Sequence, residues 1–464
     1  MRPLAEDRST PSPSLSARDS FASTLGAFTA TVGSAIGLGN IWKFPYLTGS
    51  NGGAAFVLTY LLAVALVGLP VMVVEHVIGR RMRLDAVRAY ARVVPGQSFW
   101  SAIGWAGVAS ALLIMAFYTD VAGWVFAYVF KSIGAFASGR PLTPETFGAL
   151  ASGTVEPLLW QLGVLVLTSG IIAAGVSRGI EKVTKTLMPL LFALLLVCDL
   201  RALTLPGAWG GVEYLFRPDL SKLSGAVLLS ALGLAFFKLS LGMGTMTTYG
   251  SYLPDGTRIV PNAARVALAD TAVSLLAGLA IFPAVFAFGG TPAGGPGLLF
   301  NTIPLIFSKM PGGGLFTALF FLLTAIATIG AMVSLLEVPV AVLVEKKHLR
   351  RPAAAALTGG LMFALGILAT LSQSPVLAGV KPFGKSFFDL FDFLSSNVLL
   401  PVGGLAIAVV GGWLVSRSSF LAEMDAGYAR PPWHGRVLFG LIRWAAPVLI
   451  LLILLSSLGA IRPG

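Results

Sequence analysis

The chain has 464 residues, of which 56% are hydrophobic and only 11% charged, and its mean hydropathy is +0.85. Soluble domains carry roughly 25% charged residues, so this composition argues against a soluble enzyme, a disordered chain and a nucleic-acid binder. The net charge of +12 needs no polyanionic partner, since basic residues of membrane proteins gather in cytoplasmic loops, and the single cysteine, Cys198, leaves no internal disulfide and no cysteine-based metal site.

Residues 1–20 are polar and rich in Ser and Pro. They lack the apolar core of a signal peptide, so they read as a cytoplasmic N-terminal tail. A bilayer crossing needs about 20 mostly apolar residues. Eleven segments meet that need, near 25–45, 53–78, 100–133, 156–176, 182–204, 224–252, 262–289, 314–344, 352–372, 387–415 and 436–459. The stretch near 296–309 is short and broken by Pro, and reads as a re-entrant or capping loop. With the N-terminus inside, twenty Lys and Arg fall on the inner side and nine on the outer, while Lys43, Lys238 and Arg443 fall within spans. This bias predicts a cytoplasmic N-terminus and an extracytoplasmic C-terminus.

Two spans are interrupted. The first carries Gly33-Ser-Ala-Ile-Gly-Leu-Gly-Asn40, and the sixth carries Ser240-Leu-Gly-Met-Gly-Thr245. A Gly inside a helix costs about 1 kcal/mol relative to Ala, so each cluster predicts unwinding at mid-span. Freed backbone at membrane depth is tolerated only where it is buried in protein or lines a cavity. Corresponding breaks in spans 1–5 and 6–10 point to a transporter site between inverted repeats. Close helix packing through small residues is the competing reading of each cluster, and the matching positions weigh against it.

Gly37-Leu-Gly-Asn-Ile-Trp-Lys-Phe-Pro45, Asn51-Gly-Gly53, Phe117-Tyr118 with Trp124, and Ser240-Leu-Gly-Met-Gly244 resemble the neurotransmitter:sodium symporter family in its bacterial form. The similarity runs from about residue 18 to residue 459. It implies an all-α membrane protein of the LeuT type, with eleven transmembrane helices, a five-plus-five inverted repeat and broken helices 1 and 6. Residues 21–459 would form one transporter domain in the inner membrane, with repeats at about 21–205 and 222–415 and an extra helix at about 436–459. The implied substrate site takes Ser34, Ala35, Leu38 and Gly39 from span 1 and Ile114 and Tyr118 from span 3. Phe237, Lys238, Ser240 and Met243 come from span 6, and Ala331 and Leu335 from span 8. Exposed N–H groups at the break suit a carboxylate, the Tyr118 hydroxyl can donate to it, and the apolar neighbours suit a hydrophobic side chain. Members that carry amines have an acid where this chain has Gly37. The implied outer gate is Lys43 with Asp392, capped by Phe237, and the inner gate is Arg18 with Glu345, near Tyr252. Ordinary snorkelling charges at span ends would look the same in sequence.

The chain departs from the family pattern at both sodium sites. The first would use Ala35 and Asn40, a hydroxyl in span 6 and a carboxamide or carboxylate in span 7. The last two positions are Lys238 and Asp270. An ammonium has three donors and no acceptor, so Lys238, paired with Asp270 beside Asn40, reads as a built-in cation replacing the first ion. The second site would use carbonyls of Gly33, Ile36 and Ala327 and two hydroxyls that here fall on Gly330 and Ala331. It reads as vestigial, with Thr328 as a single hydroxyl within a one-step misalignment. The family's chloride site would include Tyr60, Leu234, Lys238 and Ser274, where Leu234 lacks the usual amide. Further acids fall within spans: Glu75, Asp120, Asp199, Glu337 and Asp389. Glu75 and Glu337 suit hydrogen-bonding roles, while Asp120 suits a proton acceptor or a polar helix contact equally.

The leading reading is therefore a secondary transporter of neutral hydrophobic L-amino acids, working by alternating access without sodium. Loss and regain of the Lys238 proton would couple it to protons; exchange and uniport stay open. The alternatives are a conventional sodium-coupled symporter and a transport-inactive receptor-like or regulatory protein. A channel fits poorly with paired gates. A membrane enzyme fits poorly with scattered His76, His348 and His434. The expected partners are the amino acid and the lipid bilayer; sodium and chloride are disfavoured, and no cofactor, metal or nucleic acid is expected.

Overall fold

Within a bilayer every backbone N–H and C=O must find its partner inside the chain, and a helix achieves this locally. The structure, a computed structural model, describes residues 19–292, 295–426, 428 and 433–461, and all regular structure in them is helical. Nine uninterrupted helices among the described residues are long and apolar enough to cross a membrane. In chain order they are span 2 (Ala54–Met82), span 3 (Ser98–Ser138), span 4 (Glu156–Ala173), span 5 (Val176–Leu203), span 7 (Ile259–Ala287), span 8 (Gly313–Lys347), span 9 (Arg351–Leu371), span 10 (Phe387–Leu414) and span 11 (Trp433–Ser457). The first and sixth apolar segments are interrupted where the glycine clusters fall.

Span 1 runs as Thr24–Ala35, breaks at Ile36 and Gly37, and resumes as a π-helical turn, Gly39–Lys43, leading into Phe44–Ser50. Span 6 runs as Gly225–Lys238 and resumes as Thr245–Ser251. Between its halves Ser240, Gly242 and Gly244 all take positive φ, at 54°, 77° and 78°. A Cβ on Gly242 would meet the Leu400 carbonyl oxygen at 2.7 Å, so glycine is required there for close approach as well as for conformation.

Spans 3 and 8, the two long central helices, pack against each other, and span 2 packs against the second half of span 6. Glycines set that second contact. A Cβ on Gly79 would overlap the Thr247 carbonyl oxygen, and one on Gly250 would meet the His76 Cα at 2.9 Å. Small residues let helix backbones approach closely where lipid gives no hydrophobic drive.

Four short helices lie between spans where the sequence reading had only connections: Ala86–Val93, Pro144–Ala151, Trp209–Phe216 and Arg417–Met424. The stretch near 296–309 holds a helix, Thr302–Ser308, too short to cross a membrane. It is joined to an aromatic cap in which Phe300 stacks on Phe147 at 4.6 Å and meets Trp124 and Tyr128 of span 3 edge-on.

Candidate functional site

The two breaks face each other across a cavity bounded by spans 1, 3, 6 and 8. It is lined by Ser34, Ala35, Gly37, Gly39, Ile114, Tyr118, Phe237, Lys238, Ser240, Met243, Ala331 and Leu335. Every residue assigned to the substrate from sequence is brought here except Leu38. That residue lines an adjoining chamber with Trp42, Phe117 and Val121, and Gly37 takes its place on the cavity wall. Gly37, the position at which amine-carrying members have an acid, thus lines the cavity although it is not among the substrate residues implied by the resemblance. A Cβ there would meet the Tyr118 hydroxyl at 2.8 Å and the Ala331 Cβ at 3.0 Å, so the cavity has no room for an acidic side chain at that position.

The break in span 1 is held by side chains. Leu38 N–H donates to the Tyr118 hydroxyl at 3.0 Å, and Gly37 N–H donates to Asn40 Oδ1 at 3.1 Å. Accepting from Leu38 leaves the Tyr118 hydrogen available to an acceptor in the cavity. Ser240 Oγ donates to the Ser34 carbonyl at 2.9 Å and ties the two breaks together. The buried Ser34 hydroxyl has no partner among the described residues.

Span 6 is held from span 2. Glu75 accepts from Gly242 N–H at 2.8 Å with one oxygen, and from Thr247 N–H at 3.2 Å and Thr247 Oγ1 at 3.0 Å with the other. The carboxylate thus caps the second half-helix, whose first-turn N–H groups have no intrahelical acceptor.

Lys238 and Asp270 meet in full burial, with Nζ 3.2 Å from Oδ2. Lys238 Nζ also donates to the Tyr60 hydroxyl at 2.8 Å and to Ser274 Oγ. Asp270 accepts from Tyr60 at 2.8 Å and from Asn40 Nδ2 at 2.7 Å. The lysine stem lies on Gly39, where a Cβ would come within 2.9 Å of its Cγ. Both charges are therefore paired and surrounded by hydrogen-bonding partners, which a buried ion pair needs to offset desolvation. Tyr60 and Ser274 entered the sequence reading only through the chloride position. Here both hydroxyls are engaged by the Lys238–Asp270 pair.

At the position of the second sodium site, Gly330 packs directly on the Gly33 carbonyl, and a Cβ on Gly330 would overlap that oxygen. Thr328 Oγ1 donates to the Ala325 carbonyl of its own helix at 2.7 Å. Its hydroxyl is thus turned into span 8.

Above the cavity, Lys43 Nζ lies 3.4 Å from Asp392 Oδ1 and 4.0 Å from the centre of the Phe237 ring. Below it, Arg18 lies outside the described residues. Glu345 accepts from Asp85 N–H at 3.0 Å and from Arg88. Tyr252 donates to Glu337 at 2.6 Å, Glu337 pairs with Arg351, and Arg351 reaches Asp19 at 2.9 Å. This chain joins the segment before span 1 to spans 6, 8 and 9. Asp389, read from sequence as buried, is exposed. It opens span 10, where its N–H donates to Ser386 Oγ at 3.1 Å. Both oxygens of buried Asp120 and of Asp199 lack hydrogen-bond partners among the described residues.

Residues 18–138 and 150–464 match the model of the sodium:neurotransmitter symporter family. The chain is similar to the sodium-dependent transporter YhdH of Bacillus subtilis (strain 168), with 41% identity over 95% of this chain and 97% of the relative. It is 33% identical to a sodium-dependent transporter of Haemophilus influenzae over 95% of this chain and 98% of the relative. Among solved structures, MhsT in complex with L-phenylalanine superposes with a TM-score of 0.86 at 42% identity, over 95% of this chain and 100% of MhsT.

Proposed function

The chain belongs to the sodium:neurotransmitter symporter family and is a transporter of the LeuT type, and from that premise we propose that it carries neutral, hydrophobic L-amino acids without requiring sodium. The carboxylate would rest at the span 1 break, with the Tyr118 hydroxyl as donor and the Lys238 ammonium, whose three N–H groups already reach Asp270, Tyr60 and Ser274, as a positive charge in the cavity wall. The side chain would lie among Ile114, Phe237, Met243 and Leu335. MhsT, similar along its whole length, is a complex with L-phenylalanine, which supports a hydrophobic substrate here.

The observation that carries the reading is the Lys238 ammonium within reach of Asp270, Tyr60 and Ser274. A cation supplied by the chain occupies the place where the family binds its first ion, and it presents donors only. The missing hydroxyls at Gly330 and Ala331 leave the second site only backbone oxygens. Across the bilayer, the charge bias supports a cytoplasmic N-terminus and an extracytoplasmic C-terminus in the inner membrane. The repeats would be about 21–205 and 222–415.

The conventional sodium-coupled symporter is the second reading, favoured by the names of the relatives. Uptake of labelled leucine and tryptophan into proteoliposomes, in sodium, potassium and choline buffers at fixed pH, separates the two. Equal uptake in all three is expected, and collapse without sodium would establish the conventional symporter. Competition in the same assay tests the substrate class: Asp, Lys or dopamine competing as strongly as Leu would refute it.

A further inference from the structure

At the end of span 7 where Arg258 and Arg265 lie, an open recess of about 610 Å³ separates this helix from the start of span 1. Arg258 is the residue just before the first turn of span 7, and Arg265 lies on its second turn. Both line the recess, as do the buried side chains of Thr257 and Asn262. Asn262 Nδ2 and Thr257 Oγ1 are only 7% and 5% exposed by residue, and neither atom has a hydrogen-bond partner among the described residues. Two buried polar groups without partners beside two guanidinium groups call for an anionic oxygen ligand. Span 7 begins here with no side-chain cap on its first N–H groups, which adds the positive end of a 29-residue helix.

The remaining wall is apolar. Leu25 and Phe28 of span 1 line it, and Leu25 is 62% exposed. Leu268, one turn beyond Arg265 on span 7, is 69% exposed. Among the described residues no carboxylate lines the recess. The nearest acid in sequence, Asp255, is paired with Arg83. Arg258 stacks over the Tyr428 ring at 4.8 Å, and Arg265 forms no ion pair among the described residues.

We propose that this recess binds the phosphate headgroup of an anionic phospholipid of the inner leaflet, with an acyl chain along Leu25, Phe28 and Leu268. The placement in the inner leaflet rests on the cytoplasmic N-terminus of the proposed function. The phosphate would take the two guanidinium groups, the Asn262 amide and the Thr257 hydroxyl. A free phosphate ion offers the same oxygens and no acyl chain. A lipid seated here would bridge span 7 to the first half-helix of span 1, whose far end forms the substrate break.

The test uses the full chain in a neutral detergent, with native mass spectrometry counting retained phosphatidylglycerol against phosphatidylcholine. Thermal melting is followed with each lipid and with inorganic phosphate. The wild type should retain phosphatidylglycerol preferentially. Each basic residue near an anionic headgroup contributes on the order of fivefold, so Arg258→Gln with Arg265→Gln should lower the preference about twenty-five-fold. Asn262→Leu, which changes no charge, should lower it as well. Equal retention of the two lipids, or a preference unchanged in the arginine variant, would overturn the proposal. So would a loss in the arginine variant with Asn262→Leu unaffected, since surface charge alone would then explain it. Raised melting with inorganic phosphate equal to that with phosphatidylglycerol would overturn the lipid assignment. Leucine binding, measured in the same samples, reports on the transporter reading separately.

Discussion

Lys238 is held by three partners drawn from spans 2 and 7, and its removal tests them together. Lys238→Ala would leave Asp270 buried without its counter-charge, a loss of about 3–5 kcal/mol for a broken buried pair. Thermal melting should show this directly, and Lys238→Ala with Asp270→Asn should recover much of it. A single variant that melts like the wild type would mean that the pair contributes nothing. Lys238→Thr restores a hydroxyl beside Asn40 and Asp270, and substrate binding in that variant should gain a dependence on sodium. The pair was legible in the sequence because a charge in an apolar span demands a partner. The shell of Tyr60 and Ser274 was not, because it depends on how two other spans turn their faces. The lack of space at Gly37 was not legible for a similar reason: it is set by the Tyr118 oxygen and the Ala331 methyl beside it, and a sequence shows no distances. Asp120 remains a buried carboxyl without a hydrogen-bond partner among the described residues. Asp120→Asn keeps its shape without the charge and should leave melting nearly unchanged, whereas a large fall would reveal an ionised role.

At the scale of the helix, the break in span 6 depends on two supports, the Glu75 cap and the glycine contacts with span 2. Gly79→Ala would drive a methyl group into the Thr247 carbonyl and displace the short half-helix. Overpacking of this kind costs about 1–3 kcal/mol, and substrate affinity should fall with stability in a binding titration. Unchanged affinity would show that the half-helix tolerates the shift. The positions of both breaks could be read from their glycines, because glycine weakens a helix wherever it sits. The four short helices between spans could not. Their residues carry too little periodic apolar pattern, and packing against the spans decides their form. Asp389 falls outside the apolar pattern of span 10 because it is the exposed residue of a half-buried first turn that starts with a Ser386 cap.

At the scale of the whole molecule, the cavity lies between two charged contacts of different construction. Toward span 10 a single pair, Lys43 with Asp392, sits above Phe237. At the other end the chain from Tyr252 through Glu337 and Arg351 to Asp19 joins four segments. If both contacts act as gates, the single pair should be the easier to disable. Asp392→Asn is expected to weaken uptake more than equilibrium binding of leucine, and equal loss of both, or of neither, would count against a gate. The buried pair has a further consequence for energetics. A coupling ion that enters with its cargo carries charge across the bilayer, and the membrane potential then does about 2.3 kcal/mol of work per charge per 100 mV. The Lys238 ammonium is covalently part of the carrier and neutralised by Asp270, so a zwitterionic amino acid would cross electroneutrally. Uptake should then be indifferent to a potassium diffusion potential imposed on the vesicles. Uptake that rises with an inside-negative potential would mean that sodium or a proton travels with the substrate.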